Sequence, residues 1–175
     1  MTKENIKSKK GFTIIEVVLV LAIAGLIFLM VFVALPALQR SQRDTQRRDD
    51  MARFLSQLNQ YQANNNGKVP SELTDANTDA KKAEKYNDPF IAQYLKAGGD
   101  TFQDPSTGGD YTVKNFLTCT SSACANKTTA TSPMGEISVY SNATCDGENP
   151  KYIQGNRKIA ITINLEGAGI YCGHN

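Results

Sequence analysis

The sequence predicts an α+β chain in which a long N-terminal helix, half membrane-spanning and half amphipathic, packs on a small antiparallel β-sheet head. Three observations predict it. From Phe12 to Leu38, 23 of 27 residues are apolar, whereas the other 148 are about 32% apolar. Apolar residues then recur with helical spacing from Met51 to Tyr61, and beyond Tyr111 short β-rich runs alternate with turn residues. The 41% apolar content of all 175 residues therefore averages over a lipid-facing segment and a polar, water-facing one.

The formal net charge of +2 excludes a strongly basic nucleic-acid binder and a polyacidic tail. His174 is the single histidine, next to last in the chain, which excludes a Ser/His/Asp triad and a multi-histidine metal site. No catalytic residue, metal ligand set or cofactor is expected.

Val17 to Gln39 carries no charged side chain, and 23 helical residues span roughly 34 Å, enough for a bilayer core. Lys3, Lys7, Lys9 and Lys10, against Glu4, precede this run and should stay cytoplasmic, placing everything after Leu38 outside. A secretory signal peptide shares the basic start and small residues such as Ala22 and Ala24, but here the apolar run continues well past them. Glu16 is the anomaly. A carboxylate within hydrocarbon costs about 2.5 to 3.5 kcal/mol, so it wants a partner, a protein-lined environment or a position snorkelling at the interface.

The run KKGFTIIEVVLVLAIAG, Lys9 to Gly25, resembles the prepilin signature of type IV pilins and pseudopilins: a basic leader, Gly, Phe, a Glu four residues on, then a long apolar helix. The resemblance implies a cut by a membrane prepilin peptidase between Gly11 and Phe12, N-methylation of the new Phe12 amine, and assembly into a helical filament. A cut there would place a cationic amine one helical turn from Glu16. Pairing of Glu16 with the Phe12 amine of a neighbouring subunit would favour correct register, because a mismatched subunit leaves a buried charge unpaired; a pair within one chain is the alternative. Removing the leader also removes four lysines and one glutamate, which turns the net charge from +2 to −1.

Gly25 and Pro36 are the irregular positions of this helix. Pro36 lacks a backbone donor and should kink or locally melt it; the resembling family carries a helix proline too, commonly a few residues earlier.

After Gln39 the chain turns charged, and Arg40 with Asp44, Asp44 with Arg48 and Asp49 with Arg53 are spaced for i,i+4 pairs. Met51, Phe54, Leu55, Leu58 and Tyr61 form one apolar helix face. The helix should end near Asn64 to Gly67, with Pro70 blocking continuation. Arg43 to Leu73 also resembles pilin-like proteins, in which such a helix ends in Tyr, an Asn/Gly turn and Pro. The expected divisions are a leader at 1–11, a transmembrane and filament-core helix at 12–39, an amphipathic helix at 40–66 and a globular head at 67–175.

In the head, Asp88 and Pro89 suit the start of a short helix reaching Lys96, and Phe102 to Tyr111 reads as a turn into a strand. Asp100, Asp104 and Asp110 match no calcium-loop spacing and read as solvated turn residues. Strands are expected at Tyr111 to Leu117, Glu136 to Tyr140, Arg157 to Leu165 and Ala168 to Cys172. In the third, Ile159, Ile161, Ile163 and Leu165 alternate with Ala160, Thr162 and Asn164, so one face is expected to be buried and the other not.

Cys119, Cys124, Cys145 and Cys172 all lie in the outside portion, which favours an oxidised framework with three possible pairings. Cys119 with Cys124 as a tight local loop, and Cys145 with Cys172 as a clip on the last strand, is the preferred one. Zinc on four thiolates is the alternative, though no CxxC spacing occurs. Two sequons, at Asn126 and Asn142, mark surface loops, and the Ser/Thr-rich run Thr118 to Ser132 is a candidate for surface variation.

The resemblance implies a non-enzymatic subunit, a major pilin of a type IV pilus-like extracellular filament serving adhesion, twitching motility or DNA uptake. Its partners would be further copies of itself in a helical homopolymer, the prepilin peptidase, the assembly machinery and the membrane. The alternative is a minor pilin, or a competence or secretion pseudopilin, that binds DNA, a surface or a secreted substrate through the arginine helix or the Thr118 to Ser132 run.

Overall fold

The computed structural model describes residues 11–70, 73, 78–79, 90–99, 101–120, 124, 132–155 and 157–175, with backbone alone at 78–79, 98 and 114–116. The chain divides into two compact units, Met1–Gln39 and Arg40–Asn175. In the first, helix α1 (Ile14–Asn64) begins, and nearly every side chain from Phe12 to Leu38 is exposed. This stretch makes α1 long and apolar enough to cross a membrane. So much contiguous apolar surface needs lipid or partner helices around it.

In the second unit α1 supplies one wall of the core. Met51, Phe54, Leu55, Leu58 and Tyr61 are all buried, as their spacing requires, and cluster with Ile137, Val139, Ile159, Ile161 and Ile163 from the sheet. Each such side chain contributes about 1.5 to 3 kcal/mol when fully buried. The helix ends at Asn64. Asn66 (φ 56°) and Gly67 (φ 78°) turn left-handed, and the Gly67 N–H donates to the Gln62 carbonyl at 2.7 Å, closing a Schellman-type cap. The positive φ favours glycine at 67, and a Cβ there would also displace the exposed Arg157 side chain.

Five strands form the main sheet in the order β1-β2-β3-β6-β7: β1 (Thr78–Asp79), β2 (Thr112–Thr118), β3 (Glu136–Ser141), β6 (Ile159–Asn164) and β7 (Ile170–His174). The sheet is mixed, not purely antiparallel as expected. β2 and β3 run parallel, with Val113 opposite Ile137 and Leu117 opposite Tyr140. The long segment between Thr118 and Glu136 provides the crossover that parallel pairing needs, where a hairpin turn would have forced the opposite sense.

A second, two-stranded sheet, not expected from the sequence, pairs β4 (Ala143–Asp146) with β5 (Asn149–Tyr152) through a turn at Gly147 and Glu148. Its Asp-Gly turn signal was present, with Gly147 at φ 63°. The expectation of one buried face for β6 also needs correcting, because all six residues from Ile159 to Asn164 are buried. Ile159, Ile161 and Ile163 face the helix core, while Ala160 belongs to a second cluster with Cys119, Cys124, Tyr140 and Ala143, against which Cys145 and Cys172 pack. β6 is therefore a central strand covered on both sides. Between α1 and β2, the short helix expected to end at Lys96 is a π-helical turn, Ile91–Leu95, followed by a 3₁₀ turn, Ala97–Gly99; Asp88 and Pro89 lie outside the described residues.

Candidate assembly and processing site

Gly11, Phe12 and Thr13 are not helical, and α1 starts at Ile14. Thr13 is the N-cap, since its carbonyl accepts the first helical bond, from the Val17 N–H. The Thr13 N–H and hydroxyl both donate to Glu16 Oε2, each at 2.8 Å, and the Glu16 N–H donates back to Thr13 Oγ1 at 3.4 Å. This is a reciprocal capping box, formed by a Thr with a Glu three residues on. The Thr and Glu three residues apart in FTIIEV, Phe12 to Val17, carry the signal for it. Phe12 precedes the cap at 91% exposure and shares an apolar groove with Val17, Val20 and Leu21, beside Glu16. A large apolar residue before the cap and another at the fourth helical position form the pattern of a hydrophobic staple.

The capping box has an electrostatic consequence. Among the described residues, Glu16 is bonded only to the neutral groups of Thr13, and Oε1 has no partner. Hydrogen bonds from an amide and a hydroxyl fix the carboxylate in place without neutralising it. Gly25 and Pro36 both lie inside α1, which continues through them. A Cβ on Gly25 would meet nothing within 4 Å, so nothing in its own chain demands glycine there. Pro36 leaves the Phe32 carbonyl without its helical donor.

At the start of the second unit Arg43, Arg47, Arg48 and Arg53 are engaged in the fold. Arg47 is fully buried and makes a two-pronged contact with buried Asp104, Nε to Oδ2 at 2.6 Å and Nη2 to Oδ1 at 3.1 Å. It also donates to Asp44 at 2.9 Å, Ser106 at 2.8 Å and Glu166 at 3.0 Å. Arg43 grips Glu166 with Nε and Nη2 at 2.8 and 2.6 Å. Asp44 accepts the Glu166 and Gly167 N–H groups at 2.8 and 2.7 Å, tying the turn between β6 and β7 to α1. The i,i+4 pairs of Asp44 with Arg40 and Arg48 do not form: its acceptors are taken by Arg47 and that turn. Arg48 instead lies 5.9 Å over the Tyr171 ring, and Arg53 lies 5.8 Å over Phe102 while donating to the Leu95 carbonyl at 2.6 Å.

Burial is the largest single influence and works against charge on both Arg47 and Asp104, but the hydrogen bonds and opposite charges around each, from one another and from Glu166, Asp44 and Ser106, together outweigh it, raising the Arg47 pKa and holding Asp104 below the usual carboxylate range. The hydrogen bond from Arg43 lowers Glu166 likewise. Asp50 goes the other way: burial raises it despite the hydrogen bond it accepts from the Tyr111 hydroxyl at 2.9 Å. The calcium candidates are spent similarly, Asp104 on Arg47 and Asp110 on Lys96 at 2.8 Å, while Asp100 lies outside the described residues. No group of three or more potential metal ligands occurs among the described residues.

Cys119 is bonded to Cys124 and Cys145 to Cys172, with Cα separations of 4.3 and 5.8 Å, so no thiolate remains for zinc. The second bond fastens the β4 and β5 hairpin to edge strand β7. Asn142 sits at φ 55° with its side-chain oxygen buried, whereas Asn126 and most of the run from Thr118 to Ser132 lie outside the described residues.

No curated protein and no solved structure matches the chain. Residues 6–32 match the family model for the prokaryotic N-terminal methylation motif. That stretch contains Gly11, Phe12, Thr13, Glu16 and Gly25, so the chain carries the prepilin-type N-terminal signature, on a fold consistent with that of pilins.

Proposed function

We propose that this chain is the major structural subunit of a type IV pilus-like filament. A prepilin peptidase removes residues 1–11, the Phe12 amine is methylated, and the apolar half of α1 moves from the membrane into the core of a helical homopolymer. Adhesion, motility or DNA uptake would be properties of the polymer.

The observation that carries this reading is Glu16: a carboxylate anchored by neutral donors, with Oε1 unpartnered among the described residues, within an exposed apolar helix surface. In lipid or among packed helices that charge needs a cation. The Phe12 ammonium of an adjacent subunit, created by the cut, supplies one and ties growth to correct register. The alternative of DNA capture through the arginine helix has less support, because Arg43, Arg47, Arg48 and Arg53 already have partners within the fold.

Glu16→Gln is the discriminating variant. Gln also serves in a capping box, so the helix start is kept while the charge is lost. The precursor should insert and lose its leader at the parental rate yet form no filaments; normal filaments from Glu16→Gln would refute the pairing.

A further inference from the structure

Leader removal is hydrolysis of one amide: water adds across the Gly11–Phe12 bond, leaving a carboxylate on Gly11 and an ammonium on Phe12. A peptidase needs that bond in extended, accessible backbone, because a helical segment must first open locally before it can be cut. The sequence setting works against this. An apolar helix in a membrane environment favours continued internal bonding, since each unmet amide is costly there.

We propose that Thr13 is a positioning residue for leader removal: its reciprocal bonding with Glu16 stops α1 and holds the Gly11–Phe12 bond outside the helix. The proposal rests on the processing reading given above. Its basis is that the two bonds of the capping box replace the two helical bonds that would enclose the scissile amide. In a helix extended toward the leader, the Thr13 N–H would donate to the Lys9 carbonyl, but Glu16 Oε2 already holds it at 2.8 Å. In the same extended helix the Glu16 N–H would donate to the Phe12 carbonyl, but it is directed to Thr13 Oγ1 at 3.4 Å. Gly11 adds a weak helix former on the leader side. Phe12, at 91% exposure, is presented in the non-helical stretch.

Glu16 thereby has two separable roles. As a hydrogen-bond acceptor it shapes the substrate of the peptidase; as a charge it selects the neighbouring subunit. The first needs only an oxygen, which is why Gln suffices for it.

The test uses the full-length precursor in membranes containing a prepilin peptidase, with leader loss followed over time by mass spectrometry. Thr13→Val keeps the shape of Thr13 and deletes both side-chain hydrogen bonds. It should slow cleavage about five-fold, the population change that a typical lost N-cap produces. Thr13→Ser and Thr13→Asn restore a capping oxygen in two different shapes and should be cut within about two-fold of the parent. Amide exchange at Phe12 should slow in the Thr13→Val precursor as the helix extends over it. Cleavage of Thr13→Val at the parental rate would overturn the proposal. So would a Thr13→Asn precursor as slow as Thr13→Val, since the peptidase would then be reading the shape of threonine itself. A parent chain that is never cut would instead defeat the processing reading.

Discussion

Replacing Arg47 with methionine removes a guanidinium that is fully buried and donates to Asp44, Asp104, Ser106 and Glu166. Methionine fills much of the same space, so the loss is electrostatic rather than a cavity. Asp104 is left fully buried with only Ser106 and backbone donors against its charge. Breaking a buried ion pair from one side costs about 3 to 5 kcal/mol, because the surviving charge is uncompensated. For a unit of this size that corresponds to a drop of roughly 10 to 20 °C in Tm. The assay is thermal and urea unfolding of the purified protein in detergent, followed by tyrosine near-ultraviolet circular dichroism. The double change Arg47→Met with Asp104→Asn should recover part of the loss, since no unpaired carboxylate then remains at that position. A loss below about 1 kcal/mol for Arg47→Met would show that the carboxylates are readily hydrated, and would refute the view that this network fixes the head to α1.

The same network sets the acid response. Asp104 and Glu166 are held below their ordinary pKa values, so their contribution is present above pH 4 and is lost as pH falls through the still lower folded values; Asp50, raised by burial, has the opposite sign. Unfolding midpoints measured from pH 7 downward should therefore fall steeply below about pH 4, and Arg47→Met should flatten that fall. The two disulfides should differ in worth. Cys145–Cys172 closes 27 residues and Cys119–Cys124 only 5, so chain entropy assigns about 3.5 and about 2 kcal/mol to them. Urea unfolding of the two double Cys→Ser variants should show the larger loss for Cys145 and Cys172; equal losses would contradict the chain-entropy ranking.

The elements legible in the sequence were those coded by local periodicity or local capping. The Met51 to Tyr61 face, the stop at Asn64 to Gly67 and the Ile159, Ile161 and Ile163 face of β6 each reflect neighbours along the chain, and each has its place in the fold. What escaped depends on long-range partners. The role of Arg47 is set by Asp104 and Glu166, 57 and 119 residues away, and local spacing suggested helical pairs for Asp44 that these distant groups displace. The burial of Ala160 likewise depends on the disulfide-bonded layer on the far face of the sheet, which no property of β6 announces. The parallel pairing of β2 and β3 belongs to the same class, because the pattern within either strand does not set its sense against a neighbour. At the N-terminal site the residues were evident, and the capping chemistry joining two of them was in the sequence but overshadowed by the charge of Glu16.

The most direct measurement is mass spectrometry of filaments sheared from the cell surface. A dominant chain beginning at methylated Phe12, with Cys119–Cys124 and Cys145–Cys172 intact, is the predicted result. Recovery of the chain only from the membrane fraction, with residues 1–11 still attached, would contradict a processed filament subunit.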